Sequence, residues 1–283
     1  MTDGALVLAG GGVAGIAWET GVLLGIQDAE PRAAAKILGP PTALVGTSAG
    51  AAVAAQIATG AVLQDLFDAQ LADETAELFV EIDLASFGAM MADAVSAATS
   101  PEDARRRIGA IALAADTPST AARRAVIEAR LTVRSWGDRS LRLTAVDAES
   151  GELRVFDRDS GVELVDAVMA SCAVPGVWPV VEIDGHRYMD GGMRSGSNAD
   201  LAAGASRVLI ITPSTEQTPM GPAVSPAELD ALAPGRVNVV YADAASVASF
   251  GMNPLDPAAR RPAALAGREV GRRVASEIAD FWG

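Results

Sequence analysis

The chain has one cysteine, one histidine and an aromatic content of only 4% in 283 residues, and each scarcity removes a class of explanation. Cys172 alone cannot close an internal disulfide, and without a cysteine cluster the usual structural zinc sites are ruled out. With His186 as the sole imidazole, a zinc or iron centre would have to rest on carboxylates, so no metal and no cofactor is expected. Basic charge is short as well: 22 Lys+Arg against 36 Asp+Glu give a net charge of −14. That balance opposes binding to a nucleic-acid backbone or an anionic lipid surface by electrostatics alone. No nucleic-acid partner is expected, and any transient contact with a membrane or micelle must be apolar. Met1-Thr2-Asp3-Gly4 lacks the basic start and apolar run of a signal peptide, so the expected location is cytoplasmic. Residues 39–64 carry no charge. The run opens on Gly-Pro-Pro and is built of Ala, Gly, Thr and Ser, which reads as buried strand and helix rather than as a membrane span.

What the chain does have is concentrated in Thr42-Ala43-Leu44-Val45-Gly46-Thr47-Ser48-Ala49-Gly50. Ala43, Leu44 and Val45 form a strand-like run, and residues 49–58 favour helix. The turn between them is a G-x-S-x-G. Such a turn needs small residues two before and two after the serine, because the nucleophile occupies a strained conformation that larger neighbours would crowd. Gly46 and Gly50 satisfy this, and Ser48 is lifted to a helix N-terminus, where free N–H groups favour an oxyanion. In an Ala- and Gly-rich chain the same pattern also arises as an ordinary strand-to-helix connection.

A second element precedes it. Residues 5–9 read as a central parallel strand, followed by Gly10-Gly11-Gly12-Val13-Ala14-Gly15 and a helix. A glycine loop between strand and helix leaves N–H groups bare and binds an anion: a cofactor pyrophosphate or a transient oxyanion. Gly10, Gly12 and Gly15 fit the dinucleotide fingerprint G-x-G-x-x-G, but that reading needs an acid at the end of the second strand. Here that strand runs into Ser48, and Glu30 lies at a helix end before Pro31.

Residues 64–130 read as a helical insertion in a single domain spanning 1–283. Within it Phe87, Met90 and Met91 line an acyl-chain pocket, form a cover or are plain core, and Arg105-Arg106-Arg107 is a solvated face. Residues 141–146 and 153–156 look like an antiparallel hairpin, 165–173 like a helix, and 177–181 and 187–189 like strands about an Asp184-Gly185 turn. The latter ends in Asp190-Gly191-Gly192, which holds a carboxylate at the rim of a sheet or is simply a turn. Residues 207–212 and 237–241 read as strands, 213–234 as a loop, and 258–282 as a closing amphipathic helix. Cys172 reads as a small buried hydrophobe. His186 and Asp190, four residues apart on one strand, would be about 13 Å apart, too far for a triad hydrogen bond, so His186 reads as a surface residue. Asp190 can serve Ser48 directly if their strand ends are neighbours.

Taken in order, these motifs, together with Ala170-Ser171-Cys172-Ala173-Val174-Pro175-Gly176 and Asn253-Pro254-Leu255-Asp256-Pro257, resemble the patatin-like phospholipase family over most of the chain. The resemblance implies a three-layer α/β/α sandwich with a mostly parallel central sheet, and a Ser/Asp dyad acting without histidine. Carried over, Ser48 attacks an ester carbonyl, Asp190 is the base, and Gly10, Gly11 and Gly12 supply the oxyanion hole. Gly15, Gly46, Gly50, Gly191 and Gly192 are the supporting turns, and the substrate is a lipid or other acyl ester. The family commonly carries Arg or Lys where this chain has Ala14, which leaves neutral lipids and simple esters open as substrates. A nucleotide-binding oxidoreductase and a catalytically inert lipid-binding relative are the competing readings.

Overall fold

The computed structural model describes residues 3–82, 84–219 and 221–283. Met1 and Thr2 of the N-terminal reading, and Asp83 and Met220 within the readings of 64–130 and 213–234, lie outside the described residues. An eight-stranded sheet organises the chain. Its strands are β1 (Gly4–Leu8), β2 (Thr42–Gly46), β3 (Leu141–Asp147), β4 (Leu153–Phe156), β5 (Val181–Ile183), β6 (His186–Asp190), β7 (Arg207–Thr212) and β10 (Arg236–Tyr241). The order is β10-β7-β1-β2-β3-β6-β5, with β4 paired to β3 off this path. From β10 to β3 neighbours run parallel; β4, β5 and β6 enter antiparallel.

The helices follow from the two faces of β1. Leu6 and Leu8 point into one apolar layer, Ala5 and Val7 into the other. The first layer takes the long helices α1 (Gly12–Ala29), α3 (Ala49–Ala58), α7 (Thr120–Arg130), α8 (Leu164–Ser171) and α11 (Arg260–Trp282), with the shorter α2 (Pro31–Ile37) and α4 (Leu63–Leu71) at its margin. On the second face, α6 (Pro101–Ala114) and α5 (Leu84–Ser96) cover β3 and β6, while a 3-10 turn at Ala199–Ala202 covers β1 and β7. The fold is therefore a mixed α/β architecture with helices on both faces of a mostly parallel sheet. In the first layer α1 and α11 approach to backbone contact. A methyl group on Gly21 or Gly25 would lie 2.2 Å from a carbonyl oxygen of α11, and on Gly267 or Gly271 2.2 or 2.1 Å from one of α1. Among the described residues no helix is long and apolar enough to cross a membrane.

Most expected elements form within a residue or two of their expected limits. Residues 177–180 are a correction: they are turn and loop, because the N–H groups of Val177 and Trp178 fold back onto Val174 O at 3.1 and 2.9 Å. Residues 213–234 are another. They hold a small hairpin, β8 (Gln217–Thr218) with β9 (Gly221–Pro222), and helix α9 (Pro226–Ala231). That helix begins at a capping box in which Ser225 and Glu228 satisfy each other's backbone N–H, with Pro226 in its first turn. A further short helix, α10 (Ala244–Ser249), follows β10. The Asp184-Gly185 turn has positive φ at both residues, 52° and 79°, the conformation that tight hairpins require.

Candidate active site

Ser48 lies between β2 and α3 with φ 54° and ψ −114°, a left-handed conformation that costs a non-glycine residue about 1–3 kcal/mol. The surroundings impose it. A side-chain carbon on Gly50 would sit 2.1 Å from Leu8 O, and one on Gly46 2.6 Å from Ala51 Cα, so the turn closes only with glycine at both positions. The Ser48 N–H donates to Ser171 Oγ at 3.0 Å, and the Cys172 thiol donates to Ser48 O at 3.1 Å. Cys172 is buried, and burial pushes its thiol up to about 11, so it stays protonated at neutral pH.

Asp190 ends β6, level with Ala145 of β3. β2 and β6 are not adjacent: β3 runs between them. Gly46 pairs with Leu143, so the chain two residues on, at Ser48, is again level with Ala145. The two side chains meet over the end of that intervening strand, where the Ser48 hydroxyl donates to Asp190 Oδ2 at 2.7 Å. The other oxygen, Oδ1, accepts the Gly192 N–H at 2.7 Å. Gly191 is required there, since a side chain would meet Thr144 Oγ1 at 2.2 Å. Burial pushes the Asp190 carboxyl up to about 6, against the opposing pull of the Ser48 hydroxyl, the Gly192 N–H and the Arg123 cation.

The glycine loop faces the same point, with one correction. The Gly10 N–H is spent on Gly196 O at 2.8 Å, so it is not free to meet an oxyanion; Gly10 instead packs beside Ser48 Cβ. The N–H groups of Gly11 and Gly12 have no acceptor among the described residues, nor does that of Ala49, immediately after Ser48. Ala49 went unnoticed in the sequence, although the residue after an elbow nucleophile is a natural donor. Gly15 lets α1 approach α3: a side chain there would lie 3.1 Å from Ala49 Cβ. Ala14 is fully buried and its N–H donates to Pro254 O at 2.9 Å.

Asn198 and Arg123 also went unnoticed. Asn198 adopts a left-handed conformation (φ 48°) and its amide donates to Thr47 Oγ1 at 3.1 Å and Gly191 O at 3.2 Å, tying the serine turn to the aspartate turn. Arg123, on α7, is 3% exposed. Glu19 on α1 is fully buried, and burial holds its carboxyl well above the usual carboxylate range.

A cavity of about 300 Å³ opens beside Ser48 and Asp190, walled by Phe87, Val177, Met193 and Leu255. Phe87 thus lies at the pocket, while Met91 packs against the core under α6. His186 is at the opposite end of β6 from Asp190; its exposed ring lies 2.9 Å from Asp147 Oδ2. The end of β2, where a dinucleotide site needs an acid, is occupied by Gly46, Thr47 and Ser48, and Glu30 sits between α1 and α2. No group of three or more metal-ligating side chains occurs among the described residues.

Residues 6–203 match the family model of patatin-like phospholipases. No curated protein matches the chain. Two solved structures are similar to it. VipD from Legionella pneumophila is 13% identical with a TM-score of 0.48, the match covering 98% of this chain and 67% of that one. The type III effector protein ExoU is 16% identical with a TM-score of 0.45, covering 97% of this chain and 53% of that one. The chain thus spans about two thirds and about half the length of these two proteins.

Proposed function

Because the chain belongs to the patatin-like phospholipase family, a group of lipid hydrolases, we propose that it cleaves carboxylic esters of lipids through an acyl-serine intermediate, in one domain into which residues 64–130 insert. The observation that carries the reading is the 2.7 Å hydrogen bond from Ser48 Oγ to Asp190 Oδ2. In the first half, Ser48 Oγ gives its proton to Asp190 and bonds to the ester carbonyl carbon. The carbonyl oxygen takes the negative charge against the free N–H groups of Gly11, Gly12 and Ala49. Collapse of this intermediate breaks the bond to the alcohol, which leaves with the proton from Asp190. In the second half, water gives a proton to Asp190 and adds to the acyl carbon, and Ser48 departs with that proton restored. A carboxyl at about 6 suits both roles: ionised at neutral pH, yet basic enough to take a proton. The apolar walls of the cavity beside Ser48, formed by Phe87, Val177, Met193 and Leu255, suit an acyl chain.

The test is turnover of p-nitrophenyl acyl esters by Ser48→Ala and Asp190→Asn. Each is expected to lose at least about 10³-fold in kcat while remaining folded, and a fluorophosphonate probe should label Ser48 and no other residue. Wild-type rates in either variant would end the reading.

A further inference from the structure

A second, much smaller hollow flanks Ser48, sharing Gly12, Val174 and Leu255 with the acyl-chain cavity. Its volume is about 10 Å³, room for a single oxygen-sized group. Gly12, Ser48, Ala49, Cys172, Trp178 and Arg123 line it. The arginine is the anomaly. Its Nε and Nη1 are buried and meet no acceptor among the described residues. The guanidinium plane lies over the Trp178 ring, 3.9 Å from the centroid, which satisfies a face of the cation but none of its in-plane N–H groups.

The nearby carboxylates are committed elsewhere. Glu77 is held by two hydrogen bonds from Arg130, both 2.7 Å. Both oxygens of Asp190 accept other donors, Ser48 and Gly192. Burial lowers the Arg123 guanidinium only to about 10, so the charge persists at neutral pH. A buried cation with no partner is costly, and this one is aimed at a hollow shared with the proposed nucleophile and with two of the free backbone N–H groups.

We propose that Arg123 is a catalytic residue whose guanidinium donates to the ester carbonyl oxygen as that oxygen becomes negative. It completes from α7 an oxyanion site otherwise made of backbone N–H groups. The free space, about 10 Å³, matches the single oxygen of an ester carbonyl. The inference rests on the Ser48 reading above and adds a side-chain donor to it.

The experiment compares Arg123→Gln, Arg123→Met and Arg123→Lys with the wild type on a p-nitrophenyl acyl ester, and against an acyl trifluoromethyl ketone, which adds to a serine to form a stable oxyanion. Gln and Met are expected to lower kcat about 10²-fold with KM within about twofold, and to weaken the ketone by a similar factor. Lys is expected to recover part of both. Thermal stability of the Gln and Met variants should equal or exceed wild type, since an unpaired charge has been removed. Wild-type kcat, a loss confined to KM, unchanged ketone affinity, or failure of both neutral variants to fold would each overturn the proposal. Ser48→Ala run in parallel separates the two readings. If it turns over ester, the acyl-serine mechanism fails; if it is inert and Arg123→Gln is fully active, only the arginine's role fails.

Discussion

The floor and the roof of the cavity beside Ser48 and Asp190 are built on opposite terms. The floor is the end of β1 and β2, where Leu6, Leu8 and Leu44 have no exposed surface and the turn at Ser48 fits only with glycine on either side. The roof comes from Ile82, in a stretch (72–82) that carries neither helix nor strand, from Phe87 of α5, and from the Asn253-Pro254-Leu255 segment. Beside these segments Phe79 is 64% exposed and Met252 87% exposed, and the side chain of Asn253 ties the two chains together by a 3.1 Å bond to Val80 O. On the function proposed above, the groups that would hold reacting atoms sit where packing leaves no alternative, and those that would admit an acyl chain sit where few apolar contacts oppose local opening.

That contrast is open to attack at graded cost. The heaviest blow is expected from Gly50→Ala, whose methyl group would lie 2.1 Å from Leu8 O. A loss of about 4 kcal/mol or more in urea unfolding, or no folded protein, is expected because backbone cannot yield as a side chain does. Asp190→Asn tests the charge that the floor encloses. Its native carboxyl, at about 6, stands above the ordinary 3.8, so the folded state holds the proton more tightly than the unfolded one. Wild-type stability should fall as pH rises from about 4 to about 6 and then level, a drop of roughly 3 kcal/mol. The Asn variant should lack that drop and be the more stable protein above pH 6, while wild-type kcat/KM rises over the same range and then flattens. On the roof, Phe87→Ala is expected to raise KM for long-chain esters about tenfold, worth roughly 1.4 kcal/mol, and to leave acetyl esters within about twofold. The mildest change is Gly88→Ala on α5, where an added methyl meets nothing within 4 Å. It should stabilise by about 0.5–1 kcal/mol through helix propensity alone, opposite in sign to the same substitution at Gly50.

How much of this was legible in the sequence depended on whether the information was local. The limits of α3 and β7 follow from short-range pattern, and so does the small-residue rule around Ser48. The capping box at Ser225 and Glu228 was equally local, and was passed over because the flanking residues read as loop. Three features were beyond local reach. The placing of β3 between the strands of Ser48 and Asp190 is a matter of sheet order, which residue periodicity does not encode. The loss of the Gly10 N–H depends on Gly196, far along the chain and itself in an irregular segment. Arg123 lies on an amphipathic helix whose pattern says that one side is buried, but not that a cation on it will reach the neighbourhood of residue 48.

The strand lying between serine and aspartate has a further consequence. A sheet offers only discrete alignments, so Asp190 cannot drift gradually away from its partner. Sliding β6 by one residue would swing the carboxylate to the opposite face, and sliding it by two would restore the face but carry the group about 7 Å along the strand. If Asp190 is the base proposed above, a molecule with β6 out of register would be inactive rather than slowed, and active-site titration would count such molecules.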